Sequence, residues 1–233
     1  ERYLRTDELL ALQKTPDEMA HHDELLFQTV HQSSELWLKL SGFEIQTASD
    51  LLQRGETAPA IRLLRRAGDA MRLVTEALHH LEAMSPWEYQ TIRRVLGHGS
   101  GFDSPGFRGL MAIAPPLWDA FRDLLKNSEL TVEGLYVRGR EFDALYEIAE
   151  LLVEWDEQVM LWKYHHFKMV QRIIGSHVIG TQGTPVEVLG ARLDHPFFPE
   201  LWAVRDKLTA LAQTNSPTTA STRPDVPTTP RSS

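Results

Sequence analysis

The sequence contains no cysteine, and this absence excludes every kind of site that depends on a thiol or a thiolate. A disulfide framework, a thiol nucleophile, a zinc–thiolate site, an iron–sulfur cluster and a thiolate-ligated haem are all ruled out. Any metal or cofactor must therefore be held by histidine, carboxylate or neutral oxygen. The chain has ten histidines, so imidazole is an abundant candidate ligand.

Excess positive charge and long apolar runs are also missing. The chain has 24 Lys and Arg against 32 Asp and Glu, a formal net charge of −8 at pH 7, whereas a nucleic-acid-binding protein needs cationic side chains that displace counterions from phosphates. No apolar run approaches the roughly 20 residues that cross a bilayer, and no signal segment opens the sequence. We therefore expect a protein that binds neither nucleic acid nor membrane and is located in the cytoplasm.

Apolar residues recur with helical spacing through most of the chain, which predicts an all-α fold. Thr15-Pro16 followed by two acidic residues has the composition of a helix start, and Gly55 is suited to a helix end. The predicted helices cover about residues 15–54, 57–83, 87–96, 107–125 and 199–212, and a further long one follows residue 132. Pro115-Pro116 could break the fourth of them. No segment has a convincing strand pattern.

The composition predicts one helical domain over residues 1–212 and a disordered tail over residues 213–233. The tail consists almost entirely of Thr, Ser and Pro with a few charges, so it has no apolar surface to bury. Two glycine-containing stretches inside the domain, residues 97–106 and 175–185, are predicted to be loops.

A seam of apolar residues marks the last long helix, and one histidine interrupts it. The members alternate steps of three and four residues, as in helices that pack against neighbours: Leu145, Ile148, Leu152, Trp155, Val159, Trp162, His166, Met169 and Ile173. Burying an imidazole costs free energy unless its nitrogens find partners. Spacing alone favours a core histidine that is hydrogen-bonded to a neighbouring helix, and a haem ligand is the alternative.

A second row of chemically interesting side chains lies at four-residue intervals on the first long helix: Phe27, His31, Glu35 and Lys39. Glu35 and Lys39 are expected to form an ion pair. The structural interpretation of the row is an aromatic contact beside a polar surface. The functional interpretation is an aromatic wall with a hydrogen-bonding imidazole beside it.

The Glu-x-x-His spacing of dinuclear iron bundles occurs twice, at Glu18/His21 and at Glu76/His79. Glu18 follows Pro16 at a helix start, where an acid is expected for reasons of the helix dipole alone. No evident candidates supply the two further bridging glutamates, so the dinuclear site is a minor alternative.

Five stretches, distributed over about residues 1–208, together resemble the tryptophan 2,3-dioxygenase family. They are Tyr3-Leu4 with Asp7-Glu8-Leu9-Leu10; His22-Asp23-Glu24-Leu25-Leu26-Phe27 with His31-Gln32, Glu35-Leu36-Trp37 and Lys39; Ser100 to Arg108; Trp162-Lys163-Tyr164-His165-His166 with Arg172 to Gly175 and Gly180-Thr181; and Phe198 to Trp202 with Arg205. The chain is identified by this resemblance as a divergent member of the family, which falls among the histidine-ligated haem-dependent aromatic oxygenases. The fold it implies is a helical bundle that encloses a b-type haem, as in tryptophan and indoleamine 2,3-dioxygenases.

The resemblance also implies roles for individual residues. His166 would be the proximal ligand of the haem iron, and His31 the distal imidazole that accepts a hydrogen bond from the substrate indole N–H. Phe27 would be part of the apolar wall around the indole. Arg108 would bind the substrate carboxylate through its forked donors, and Thr181 would contact the amino-acid end of the substrate.

Further implications concern assembly and the remaining histidines. The family forms homotetramers with exchanged N-terminal segments, so Tyr3 would reach into the site of a neighbouring subunit. The other eight histidines are expected to be surface or loop residues.

The implied reaction is oxidation of the indole ring of L-tryptophan or a close analogue by O₂, with opening of the C2–C3 bond to give N-formylkynurenine. The sequence departs from the family pattern around the substrate's amino-acid end: Gly-Thr-Gly-Gly-Ser is replaced by Gly180-Thr181-Gln182-Gly183-Thr184, and a proline stands at Pro105. These departures leave open a single oxygen insertion at indole C2 of tryptophan or β-methyltryptophan, which would give an oxindole in natural-product biosynthesis. A haem sensor or carrier is the non-enzymatic alternative.

Overall fold

The computed structural model of the chain describes residues 2–96, 104–179, 185–190 and 193–214, and this part is built from α-helices. The helices are α1 (Thr6–Leu10), α2 (Glu24–Gln53), α3 (Thr57–Leu81), α4 (Pro86–Val95), α5 (Pro105–Asn127), α6 (Val132–Val137), α7 (Asp143–Ile174), α8 (Val186–Gly190) and α9 (Pro199–Thr214). Within the described ranges no strand forms, and the extended pairing is an isolated bridge between Ile179 and Pro185. The predicted all-α fold class is confirmed.

The four long helices form the centre of the bundle. Helix α3 packs against both α2 and α7, and α5 packs against the other side of α2. An apolar stripe of α3 is buried throughout: Leu64, Ala67, Met71, Val74, Leu78 and Leu81. Arginines on its polar side form ion pairs with the neighbouring helices, Arg65 with Glu147 and Arg72 with Glu154 on α7. One face of α3 is therefore buried, and arginines of the opposite face connect α3 to α7 through ion pairs.

The predicted start of the first long helix was wrong. Thr15 and Pro16 begin only a single 3-10 turn, Pro16–Glu18, in which the Glu18 carboxylate accepts hydrogen bonds from the Thr15 N–H and hydroxyl at 2.8 and 2.9 Å. Helix α2 starts later, at Glu24, whose buried carboxylate pairs with Lys14 and accepts the Ala20 N–H at 2.7 Å. Thr15 therefore caps a short 3-10 turn that precedes helix α2.

The other helix ends agree with the sequence within a few residues, except that the helical pattern after residue 132 is divided into α6 and α7. Helix α2 ends as predicted at Gly55, which has a φ of 76° and donates its N–H to Leu52, while the Glu56 N–H bonds to Leu51. Helix α5 continues through Pro115 and Pro116, so the break considered there does not occur. The predicted disordered tail, residues 213–233, lies outside the described residues except for its first two positions, which extend α9.

A buried carboxylate attaches α9 to the bundle. Asp156 of α7 accepts the backbone N–H groups of Phe197 and Phe198 at 3.0 and 3.1 Å and the indole N–H of Trp202 at 3.1 Å. Burial raises the pKa of Asp156, and the three donors oppose that shift. None of the helices described is long and apolar enough to span a membrane.

Candidate active site

The seam of α7 is covered by protein at every position except two adjacent turns. Seven of its members are buried, whereas Trp162 and His166 remain partly accessible. Their rings stack at 4.9 Å between centroids with 11° between planes, and Trp162 also stacks on Phe107 of α5 at 3.6 Å. The aromatic set Phe107, Trp162 and His166 therefore marks the level at which the packing of α7 against its neighbours opens.

The side chain of His166 is only partly exposed. Burial and the proximity of His31 lower the pKa of His166 to about 4, so the imidazole is neutral at pH 7. No hydrogen bond to the His166 ring forms within the described part of the chain. The core-histidine interpretation required such a bond, and the structure does not supply it.

His31 of α2 has a defined tautomer. Its Nδ1 lies 2.7 Å from the backbone carbonyl oxygen of Phe27, and because a carbonyl only accepts, Nδ1 carries the hydrogen. Burial lowers the pKa of His31, which leaves Nε2 as a free acceptor in the neutral ring. The Phe27 ring lies 4.0 Å from the imidazole between centroids and 6.0 Å from Tyr89 of α4. The aromatic contact between Phe27 and His31 is thus present, and the roles of both residues toward a substrate stay predictions.

Arg108 lies in the first turns of α5 with its side chain exposed. Among the residues that the structure describes, no carboxylate forms an ion pair with Arg108. Other arginines of the protein, in contrast, do pair with a glutamate. A guanidinium without an ion-pair partner in the described ranges is available for an anionic ligand.

The expected ion pair between Glu35 and Lys39 does not form. The Glu35 carboxylate instead accepts hydrogen bonds from the Ser104 hydroxyl and from the Gly106 N–H at 2.9 Å, at the start of α5. The prediction was wrong because helical spacing gives only the neighbours on one helix, and α5 supplies stronger partners for this carboxylate. Sequence reasoning missed this role of Glu35, and no local pattern could have revealed it.

One of the predicted site residues is not brought to the others within the described part of the chain. Tyr3 is 94% exposed and contacts no part of the site. Thr181 lies outside the described residues, but the chain on either side of it is fixed. The Val186 N–H donates to Val178 at 3.1 Å beside the Ile179–Pro185 bridge, and Arg93 of α4 donates to the Ile179 carbonyl.

The dinuclear iron alternative finds no support. No group of three or more His, Asp or Glu side chains in the described ranges could hold a metal ion. The Glu18 carboxylate is occupied by Thr15, and His21 follows a 3-10 turn rather than sharing a helix face with Glu18. The other histidines within the described ranges are exposed or partly exposed, as expected; His98 lies outside them.

A histidine-ligated haem fits the residues that are present. His166 offers a neutral imidazole without a hydrogen-bond partner in the described residues, and the buried Trp162 Nε1 also has none. The surroundings are apolar: Val30, Leu78, Leu81, Met169 and Ile173 belong to one cluster of buried side chains, and Phe27, Tyr89 and Trp162 pack against it. With no cysteine in the chain, imidazole is the natural axial ligand.

Comparison with known proteins gives a consistent result over most of the chain. The profile of a family described as Tryptophan 2,3-dioxygenase matches residues 1–113. Curated proteins named tryptophan 2,3-dioxygenase are similar to the chain: one from Bacillus thuringiensis (strain Al Hakam) is 32% identical, covering 88% of this chain and 91% of that protein. Another from Saccharopolyspora erythraea is 33% identical, covering 89% and 92%. A third, from Myxococcus xanthus (strain DK1622), is 34% identical and covers 89% and 88%.

Proposed function

The chain belongs to the tryptophan 2,3-dioxygenase family, and from that premise we propose that it uses haem b and O₂ to convert L-tryptophan to N-formylkynurenine. The observation that carries this proposal is the pairing of His31 on α2 with His166 on α7. Burial lowers the pKa of both imidazoles, the proximity of His31 lowers the pKa of His166 further, and each ring has a nitrogen without a partner in the described residues.

In this proposal His166 is the proximal ligand, because ligation requires the deprotonated ring nitrogen that a low pKa provides. Stacking against Trp162 fixes the plane of the imidazole before the cofactor arrives. When bound, haem would supply the iron at which O₂ is activated toward the electron-rich C2–C3 bond of the indole.

His31 and Phe27 position the indole ring in this proposal. The free Nε2 of His31 accepts the indole N–H, since its Nδ1 hydrogen is already donated to the Phe27 carbonyl. The Phe27 ring beside it excludes water and packs against the substrate. His31 needs to move no proton, because both atoms of O₂ are retained in N-formylkynurenine and no leaving group departs.

Arg108 binds the substrate carboxylate, and Thr181 approaches the amino-acid end. The exposed guanidinium supports this role because no described carboxylate competes for it. Contacts at both ends of the substrate make the orientation of the C2–C3 bond unique, and orientation is the main contribution that a protein makes to such a reaction.

The proposal is tested by an absorption spectrum and a product mass. We expect a Soret band from purified protein loaded with haem. With L-tryptophan, ¹⁸O₂ and a reductant, we expect a product that has gained two labelled oxygen atoms. A product with one added oxygen would replace this proposal with oxindole formation, which the altered loops motivate. A Soret band without oxidation of any indole amino acid would instead indicate a haem sensor or carrier.

A further inference from the structure

Glu35 connects the helix of the distal histidine to the helix of the substrate-binding arginine. It lies one turn beyond His31 on α2, and its half-buried carboxylate points across to α5. One oxygen accepts the Ser104 hydroxyl and the other accepts the Gly106 N–H at 2.9 Å. The carboxylate thus binds the first turn of α5 at two points.

The contact continues into the backbone of α5. Ser104 is the N-cap of this helix, and its Oγ accepts the Phe107 N–H at 3.1 Å while its hydrogen is donated to Glu35. A negative charge at a helix N-terminus is stabilised by the free N–H groups and the helix dipole. Glu35 therefore fixes the backbone of the segment that immediately precedes Arg108.

Gly106 allows the two helices to approach closely enough for these bonds. A Cβ atom at position 106 would lie 2.6 Å from Cβ of Leu38 and 2.8 Å from Oε2 of Glu35, distances that would force α5 away from α2. The glycine at position 106 therefore permits the short distance between α2 and α5 that the hydrogen bonds of the Glu35 carboxylate require. The next residue, Phe107, is held in turn by its stack on Trp162 at 3.6 Å.

We propose that Glu35 is a positioning residue that sets the placement of Arg108 relative to His31. This inference rests on the proposed function, in which His31 binds the indole N–H and Arg108 binds the carboxylate of one substrate molecule. The two contacts form together only if the spacing between α2 and the start of α5 matches the length of the substrate. Glu35 fixes that spacing without touching the substrate.

The test compares a substrate that has a carboxylate with one that lacks it. We expect Glu35→Gln and Glu35→Ala to lower kcat/KM for L-tryptophan by about tenfold to a hundredfold, as misplacement of a binding group does, and mainly through KM. For tryptamine, which has no carboxylate for Arg108, we expect little change. The glutamine variant is the milder one, because its amide oxygen can still accept the Gly106 N–H.

Three further variants separate positioning from general stability. In an Arg108→Ala background the Glu35 substitutions should not lower kcat/KM for L-tryptophan any further, because the guanidinium that Glu35 positions is already absent. Ser104→Ala should reproduce part of the loss, whereas Ser85→Ala should not, although Ser85 also caps a helix and precedes a proline. Equal losses for both substrates, or additive effects of Glu35→Gln and Arg108→Ala, would overturn the proposal.

The binding step can be measured independently of turnover. Calorimetric titration of the haem-loaded variants should show weaker binding of L-tryptophan to Glu35→Gln and unchanged binding of tryptamine. If the wild-type protein binds L-tryptophan but oxidises no indole, the proposed function fails while this titration still decides the role of Glu35. If the wild-type protein does not bind L-tryptophan, both proposals are wrong.

Discussion

The chemistry open to each histidine in this chain depends on what its ring nitrogens contact. In His31 a backbone carbonyl occupies Nδ1 and leaves Nε2 as an acceptor, whereas no described residue bonds to His166. His165, one position earlier, has its ring centroid 5.2 Å from that of His79, with the two rings nearly perpendicular, and it is partly exposed. Neighbouring imidazoles on α7 thus have different functions available to them because helix geometry turns them to different surroundings.

This contrast gives the first prediction at the residue scale. We expect His166→Ala to abolish haem retention, because no other unpartnered imidazole occupies the seam of α7. His165→Ala is the matched control and should retain haem, since it removes an imidazole of the same helix that faces His79. The measurement is the ratio of Soret to protein absorbance after purification. Normal haem content in His166→Ala would refute the assignment.

The second prediction concerns the charge of His31. Burial lowers its pKa from the ordinary value of 6.5, and only the neutral ring offers Nε2 as an acceptor. Protonation of His31 therefore lowers kcat/KM for L-tryptophan as the pH falls through the lowered pKa. On acidification, kcat/KM should stay level through pH 6.5 and decline only below that value. 1-Methyltryptophan has no indole N–H, so it is the control whose pH profile should lack this step. A midpoint above 6.5 for L-tryptophan would contradict the assignment.

At the scale of helices, local sequence patterns predicted which face of a helix is buried. They failed where a side chain of one helix is bound by a different segment of the chain. The seam of α7 followed from its spacing, because burial of one face is a property of a single helix. The late start of α2 did not, since Glu24 is bound by Lys14 and Ala20 of the preceding segment. Glu35 is a second example: its partners on α5 lie about seventy residues away in the sequence.

The end of α2 provides a prediction at this scale. Gly55 has a φ of 76°, a conformation in which a side chain costs about 1–2 kcal/mol. Gly55→Ala should therefore lower the free energy of unfolding by about that amount. Gly68→Ala is the opposite case, because it lies inside α3 with no atom within 4 Å of an added Cβ, and it should raise the free energy by about 0.5–1 kcal/mol. Urea unfolding followed by circular dichroism measures both, and effects of the same sign would contradict this explanation.

At the scale of the whole molecule, the bundle accounts for the paired imidazoles but not for every residue that the family resemblance brings to the site. Helices α2, α5 and α7 carry His31, Arg108 and His166, and their packing follows from apolar patterns that the sequence displays. The segment before α2 is different. Tyr3, Leu4, Leu10 and Leu12 are each at least two-thirds exposed, and α1 buries no residue. A cluster of exposed large apolar side chains is typical of a surface that another chain covers.

The last prediction is that Tyr3 acts in a neighbouring subunit of a homotetramer. Tyr3→Ala should lower activity although the residue is 94% exposed in the single chain, and His166→Ala should be inactive for lack of haem. Co-expressed with different affinity tags and purified as a hybrid, the two variants should regain activity. In the hybrid, the intact Tyr3 of the haem-free subunit completes the site of the haem-containing one. Sedimentation velocity gives the assembly state of each sample. A tetrameric hybrid no more active than Tyr3→Ala alone would show that the N-terminal segments are not exchanged at the site.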